Sequence, residues 1–133
     1  MQHGRRLLCT TMVIEEEKVK LLEGKRALVF GVANHRSIAW GIARQLHTHG
    51  ATVGITYADD ALRRHVAPLA EEVESPFLEK CDVTSDEEIA AVTGRAAAAL
   101  GPFDAVVHAI AYARKEELSG AFSETSREGF RVA

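Results

Sequence analysis

From Gly24 onward the apolar positions follow two alternating rhythms. Ala27 to Phe30, inside Lys25–Gly31, is a short unbroken apolar run that ends in glycine. Such a run predicts a parallel strand buried on both faces. Ile38, Ile42 and Leu46 then recur every four residues with Ala39 and Ala43 beside them, which predicts a helix over 38–49 stopped by Gly50. Thr52–Tyr57 is rich in β-branched residues and predicts a second strand. Leu62, Val66, Leu69 and Val73 form the next helical face, capped by Asp59 or Asp60, with Pro68 predicting a kink or a late start. Pro76–Cys81 is the third strand. Ser85 and Glu88 have capping-box spacing ahead of Ile89, Val92, Ala96 and Leu100, and Gly101-Pro102 ends that helix. Asp104–Ala111 is the fourth apolar strand.

The order β-α-β-α-β-α-β predicts an α/β fold: a three-layer parallel sheet with helices on both faces. Ligands of such sheets sit outside the carboxyl ends of the strands, where strand order reverses. In this chain those ends are Gly31, Tyr57, Cys81-Asp82 and Ala109 onward. Residues 1–23 read as a separate extension, flexible or a frayed helix with Glu16 and Lys20 four apart. Its Leu7-Leu8-Cys9 is too short for the apolar core of a secretory signal, and Met12 is an alternative start. Residues 24–133 form the domain.

Composition narrows the function. The 133 residues carry 16 Lys and Arg against 19 Asp and Glu, a net charge of −3 without a basic stripe. That disfavours nucleic acid and anionic membrane surfaces as partners. Two cysteines 72 positions apart exclude a disulfide scaffold and fit a reducing, cytoplasmic setting. No apolar run reaches transmembrane length. His47 and His49 do not share a helix face, so no metal site is expected.

The loop Gly31-Val32-Ala33-Asn34-His35-Arg36-Ser37-Ile38-Ala39-Trp40-Gly41 carries the sharpest signal. Gly31 permits a tight turn at a strand end, and Ser37-Ile38 open a helix whose free amides suit a diphosphate. The loop lacks the usual three glycines, so on spacing alone a plain structural turn is an equal reading. On the residues alone Asp82 reads first as a turn cap before the Ser85 helix. His108 reads as a hydrogen-bonded core histidine, Cys81 as a buried thiol and Trp40 as packing.

Gly-Val-Ala-Asn-x-x-Ser-Ile-Ala-x-Gly-Ile-Ala resembles the NADH-dependent enoyl-acyl-carrier-protein reductases, a divergent branch of the short-chain dehydrogenase/reductases. Gly24-Lys25-Arg26, Thr56-Tyr57, Cys81-Asp82-Val83, Phe103-Asp104, Val107 to Ala111 and Arg127 to Phe130 extend the resemblance over about Leu22 to Ala133. It implies a Rossmann-like domain, here incomplete with its first four strands. It also implies reduction of the trans-2 double bond of enoyl thioesters on acyl-carrier protein in fatty acid biosynthesis, by a homotetramer when full length.

By position, Gly31, Ser37 and Ile38 match contacts to the cofactor ribose and diphosphate. Ala58 stands where relatives place a polar residue facing the adenosine ribose, so a contact there falls to the backbone. Asp82 and Val83 match the pair that holds adenine, Ile110 the nicotinamide side, and Ala113 a substrate contact. Ala109 and Ala111 depart from the serine and glycine of many relatives, and Ala111 adds a methyl group near the nicotinamide and acyl pocket. Asp59 and Asp60 after the second strand disfavour a 2′-phosphate, which selects NADH over NADPH; Arg63 and Arg64 follow a turn later.

The family's catalytic Tyr-x6-Lys has no match: the residues seven after Tyr57 and Tyr112 are Arg64 and Ser119. The expectation is therefore a fragment, inactive alone. A non-catalytic nucleotide-binding remnant of the superfamily is the competing class.

Overall fold

The computed structural model describes residues 20–133, so Glu16 and the rest of 1–19 lie outside the described residues. Four strands, β1 (Arg26–Phe30), β2 (Thr52–Tyr57), β3 (Leu78–Lys80) and β4 (Ala105–His108), form one sheet in the order β3-β2-β1-β4. All three pairings are parallel, with Leu28 level with Gly54 on one side and Val106 on the other. The chain winds outward from β1 through β2 to β3, then crosses back to place β4 on the far side of β1. The reversal of strand order thus falls between the ends of β1 and β4.

Helices α1 (Ile38–Thr48) and α2 (Arg63–Glu72) cover one face, and α3 (Asp86–Leu100) covers the other. Two apolar clusters record this layering. Val29, Val53, Ile55 and Tyr57 meet Ala39, Trp40 and Ala43 of α1 and Val66 and Ala70 of α2. Leu28, Phe30, Phe77 and Cys81 meet Val92, Ala96 and Leu100 of α3. The alternation along β1 separates the clusters, because neighbouring strand residues point to opposite faces. Gly54 lets α3 settle on the sheet: a methyl group there would lie 2.6 Å from Leu100 Cδ1. Trp40 is buried in the first cluster and Cys81 in the second, as packing residues.

Several boundaries differ from the sequence expectation. Strand β3 keeps only Leu78–Lys80 of the expected 76–81. Strand β4 stops at His108 rather than Ala111, because β1 ends at Phe30 and Ala109 N donates to Phe30 O as the last link. The expected burial on both faces holds for β1, whose Ala27–Phe30 are all buried, whereas Val106 of β4 is 60% exposed. His108 is correspondingly exposed rather than a core histidine. Helix α2 starts at Arg63 and runs through Pro68, which removes only the one ladder bond its amide would have made to Arg64. The packed unit also begins before Gly24: Leu22 N donates to His49 O at 2.8 Å, and its side chain joins the first cluster.

Beyond β4 two short 3-10 helices, Lys115–Leu118 and Phe122–Glu124, lead to α4 (Arg127–Val132). Glu117 accepts from both Ser126 N and Ser126 Oγ, which ties the start of this segment to its end.

Ser85 caps α3 by accepting from Glu88 N at 3.2 Å, and Asp86, Glu87 and Glu88 occupy its first turn. Ser85→Ala is expected to lower stability by about 0.5–2 kcal/mol. A urea titration would read this as an earlier midpoint with unchanged slope.

Candidate nucleotide site at the carboxyl edge of the sheet

Gly31 leaves β1 with φ +95, a conformation that side chains other than glycine rarely adopt. A methyl group at this position would collide with Ala109 O and lie 2.7 Å from Ile110 Cγ1. The turn out of β1 is thereby pressed against the exit of β4, at the point where strand order reverses. Val32 is buried immediately afterwards, and its amide donates to Thr56 O.

The loop then folds on itself. Asn34 Oδ1 accepts from Arg36 N at 2.8 Å, and Asn34 O accepts from both Ser37 N and Ser37 Oγ. Ala33 N in turn donates to Ser37 Oγ at 3.4 Å. Ser37 has extended backbone angles at the cap of α1, yet its side chain bonds within the loop and caps no helical amide. The first helical bond runs from Gly41 N to Ser37 O. The amides of Ile38, Ala39 and Trp40 therefore have no partner inside the helix. They open at the sheet edge beside Ile38, whose apolar side chain is 78% exposed.

At the end of β2, Ala58 is exposed and Asp59 turns back onto the chain, accepting from Ala61 N at 2.9 Å and Leu62 N at 3.2 Å. Asp59 therefore closes the turn ahead of α2, whereas the helix itself begins after Leu62 without a side-chain cap, so neither Asp59 nor Asp60 is the helix cap the sequence predicts. After β3, Asp82 Oδ1 accepts from Thr84 N at 2.9 Å and from Thr84 Oγ1 at 2.8 Å. These bonds, with the Lys80 charge, hold the Asp82 carboxyl below the usual aspartate range. Glu88 completes only half of the expected capping box. Its Oε2 accepts from Asp82 N at 2.9 Å rather than from Ser85 N, because the chain brings the Asp82 amide over the start of α3. Burial, followed by the Glu88 and Asp82 charges, pushes the Cys81 thiol up, which leaves it a protonated packing group.

Val83 packs into the α3-side cluster and borders an apolar groove of about 330 Å³ with Leu28, Phe30, Ile89, Thr93, Val106 and His108. Ile110 is half-buried against the same cluster and touches the Gly31 turn, whereas Ala113 is exposed in the segment after β4. The fold therefore joins Gly31 to Ile110 and sets Ser37, Ile38, Ala58, Asp82 and Val83 along one edge. Ala113 has no such anchor. Sequence reasoning assigned nothing to Asn34, Thr84 or the Glu88 carboxylate at Asp82. The Asp-x-Thr spacing of an Asx turn was the legible sign of Thr84.

The family model described as enoyl-(acyl carrier protein) reductase matches residues 31–133. The chain belongs to this family. It is 49% identical over 113 residues to the enoyl-acyl-carrier-protein reductase (NADH) FabI of Aquifex aeolicus, covering 85% of this chain and 42% of that protein. The reductase structure from Anaplasma phagocytophilum in complex with NAD superposes with a TM-score of 0.75 at 38% identity, over 83% of this chain and 42% of that one. The Bacillus cereus reductase with NADP+ and indole naphthyridinone gives 0.77 at 47% identity, over 85% and 45%. The chain thus spans less than half the length of these relatives. Among the described residues no group of histidine, cysteine or acidic side chains could hold a metal, and no helix is long and apolar enough to cross a membrane.

Because folding lowers the Asp82 pKa, the carboxylate contributes stability above its unfolded value of about 3.9. That contribution is lost as pH falls through the lower folded value. Asp82→Asn, which keeps an oxygen for Thr84 but cannot titrate, is expected to flatten the fall. Urea midpoints for both proteins between about pH 5 and pH 3 would measure the difference.

Proposed function

We propose that this chain is the cofactor-binding part of an NADH-dependent enoyl-acyl-carrier-protein reductase. The reaction is reduction of the trans-2 double bond of an enoyl thioester carried by acyl-carrier protein, in fatty acid biosynthesis. Family membership and the NADH and NAD in the names of its relatives support this reading. The observation in the fold that carries it is Asp82. Its Oδ1 is occupied by Thr84, which keeps the group ionised on the edge where parallel sheets take their ligands.

The residues present suit a dinucleotide. Gly31 brings the end of β1 against the exit of β4, where a methyl group would collide with Ala109 O, the first amides of α1 are donors for a diphosphate, and Asp82 is an acceptor for an amine. In this reading Ser37 and Ile38 bind the diphosphate and ribose through the start of α1. The backbone at Ala58 faces the adenosine ribose, Asp82 and Val83 hold adenine, Ile110 lies on the nicotinamide side and Ala113 meets substrate. Bound NADH supplies the hydride; the residues of this chain bind and orient it. Asp59, turned onto Ala61 N and Leu62 N, and exposed Asp60 put two carboxyl groups at the end of β2, which disfavours a 2′-phosphate.

The protein works in the cytoplasm, a setting compatible with a free thiol at Cys81. It assembles as a homotetramer, and exposed Leu118, Phe122 and Phe130 are apolar surface available to such an assembly.

Asp82→Asn retains the Thr84 turn and loses an acceptor for the adenine amine. It is expected to raise the dissociation constant for NADH about tenfold, the scale of one hydrogen bond to a charged group. Reduced nicotinamide mononucleotide, which lacks adenine, should bind as before. Calorimetric titration with both ligands decides this, and unchanged NADH affinity in a folded variant rejects the adenine role.

The 133-residue chain is also expected to leave crotonyl thioesters unreduced, because neither Tyr57 nor Tyr112 is followed by lysine at the seventh position. Oxidation of NADH above a buffer control, followed spectroscopically with purified protein, overturns that expectation.

A further inference from the structure

Asp82 is ordered before any ligand arrives. Its Oδ1 accepts from Thr84 N and Thr84 Oγ1, and its carbonyl oxygen accepts from Ser85 N at 3.1 Å. Its own amide donates to Glu88 Oε2 at 2.9 Å, a contact that reaches back from the first turn of α3. The other Glu88 oxygen, Oε1, lies 3.8 Å from Lys80 Nζ at the end of β3. Half-buried Glu88 thus ties together the strand end, the Asp82 turn and the helix start.

Helix stability alone does not call for this reach. Asp86, Glu87 and Glu88 all stand in the first turn of α3, where any carboxylate is favoured by the helix dipole. A completed capping box would bring Glu88 onto Ser85 N, yet that amide goes to Asp82 O. Glu87 stays at the cap and accepts from Ser85 Oγ at 3.0 Å. Glu88 instead holds the amide of a residue whose second carboxylate oxygen has no partner among the described residues. An acceptor already ordered loses less freedom when a ligand binds.

We propose that Glu88 is a positioning residue for adenine: by holding the Asp82 amide it sets the direction in which the unpartnered Asp82 oxygen meets the cofactor, and it touches no ligand itself. The proposal rests on the adenine reading of Asp82 given above and adds the residue through which α3 orients that acceptor.

The test uses the 133-residue chain as wild type, Glu88→Gln, Glu88→Asp, Glu88→Ala, Asp82→Asn and the double variant Asp82→Asn/Glu88→Asp. Each protein is titrated calorimetrically with NADH and with reduced nicotinamide mononucleotide, beside a melting curve. Glu88→Asp keeps the charge at the helix start but loses one methylene of reach, whereas Glu88→Gln keeps the reach and an accepting oxygen but loses the charge. Glu88→Asp and Glu88→Ala are expected to weaken NADH about threefold to tenfold, the scale of one hydrogen bond, and to leave the mononucleotide unchanged. Glu88→Gln should bind NADH nearly as wild type does. Melting should run the other way, with Glu88→Asp above Glu88→Gln, because the dipole acts on charge and not on reach. In the Asp82→Asn background Glu88→Asp should cause no further loss, since residues acting through one contact are not additive. Full NADH affinity in Glu88→Asp, an affinity order that follows the melting order, or additive losses overturns the proposal while the adenine reading stands. Unchanged NADH affinity in Asp82→Asn, or failure of the wild type to bind NADH, overturns that reading and the proposal with it.

Discussion

Strand β1 is hydrogen-bonded on both edges, to β2 and to β4, and this double pairing leaves its exit one way out. The ladders place the end of β4 beside the end of β1, so the chain leaving Phe30 must turn immediately against Ala109 and Ile110. Only a residue without a side chain fits there, and Gly31 occupies the position with φ +95. From that turn follow the direction of the Asn34–Ser37 loop and the place where α1 presents its first amides. The ligand edge is a consequence of how the central strand is satisfied.

Along this edge the polar side chains mostly hold the backbone. Asn34 and Ser37 fix the first loop, Asp59 fixes the turn into α2, and Asp82, Thr84 and Glu88 fix the turn into α3. These side chains accept from amides of the turns themselves, ahead of the first helical residues; at α3 it is Ser85 that caps a helical amide. Asp82 uses one oxygen for its turn, and its other oxygen has no partner among the described residues. Ser37 gives its one proton to Asn34 O.

The two sheet edges differ in the same physical terms. Edge strand β3 is short, and its charges are paired: Glu79 with Arg95 at 2.6 Å and Lys80 with Glu88 at 3.8 Å. Edge strand β4 carries no formal charge along Ala105–His108 and borders an apolar groove. Its register is set at its start, where Asp104 bonds Lys25 and the Arg26 amide, each at 2.9 Å. After β4 the chain is held chiefly by polar clasps such as Glu117 with Ser126, and its larger apolar side chains stay exposed.

Sequence by itself determined the α/β class, the order of elements, the helix starts at Ile38 and after Ser85, and the edge on which the site residues lie. These follow from local periodicity and capping chemistry, which act within one turn or one strand. The motif from Gly31 to Ala43 carried the family, because its residue types and spacing are unusual for a dinucleotide loop. Tertiary structure decided what depends on distant partners. It ended β4 at His108, because β1 had no further residue to pair. It sent the Glu88 carboxylate to Asp82 N and the Ser37 proton to Asn34 O. A hydrogen-bonding group accepts whichever partner the folded chain brings within reach, and spacing alone does not specify that partner.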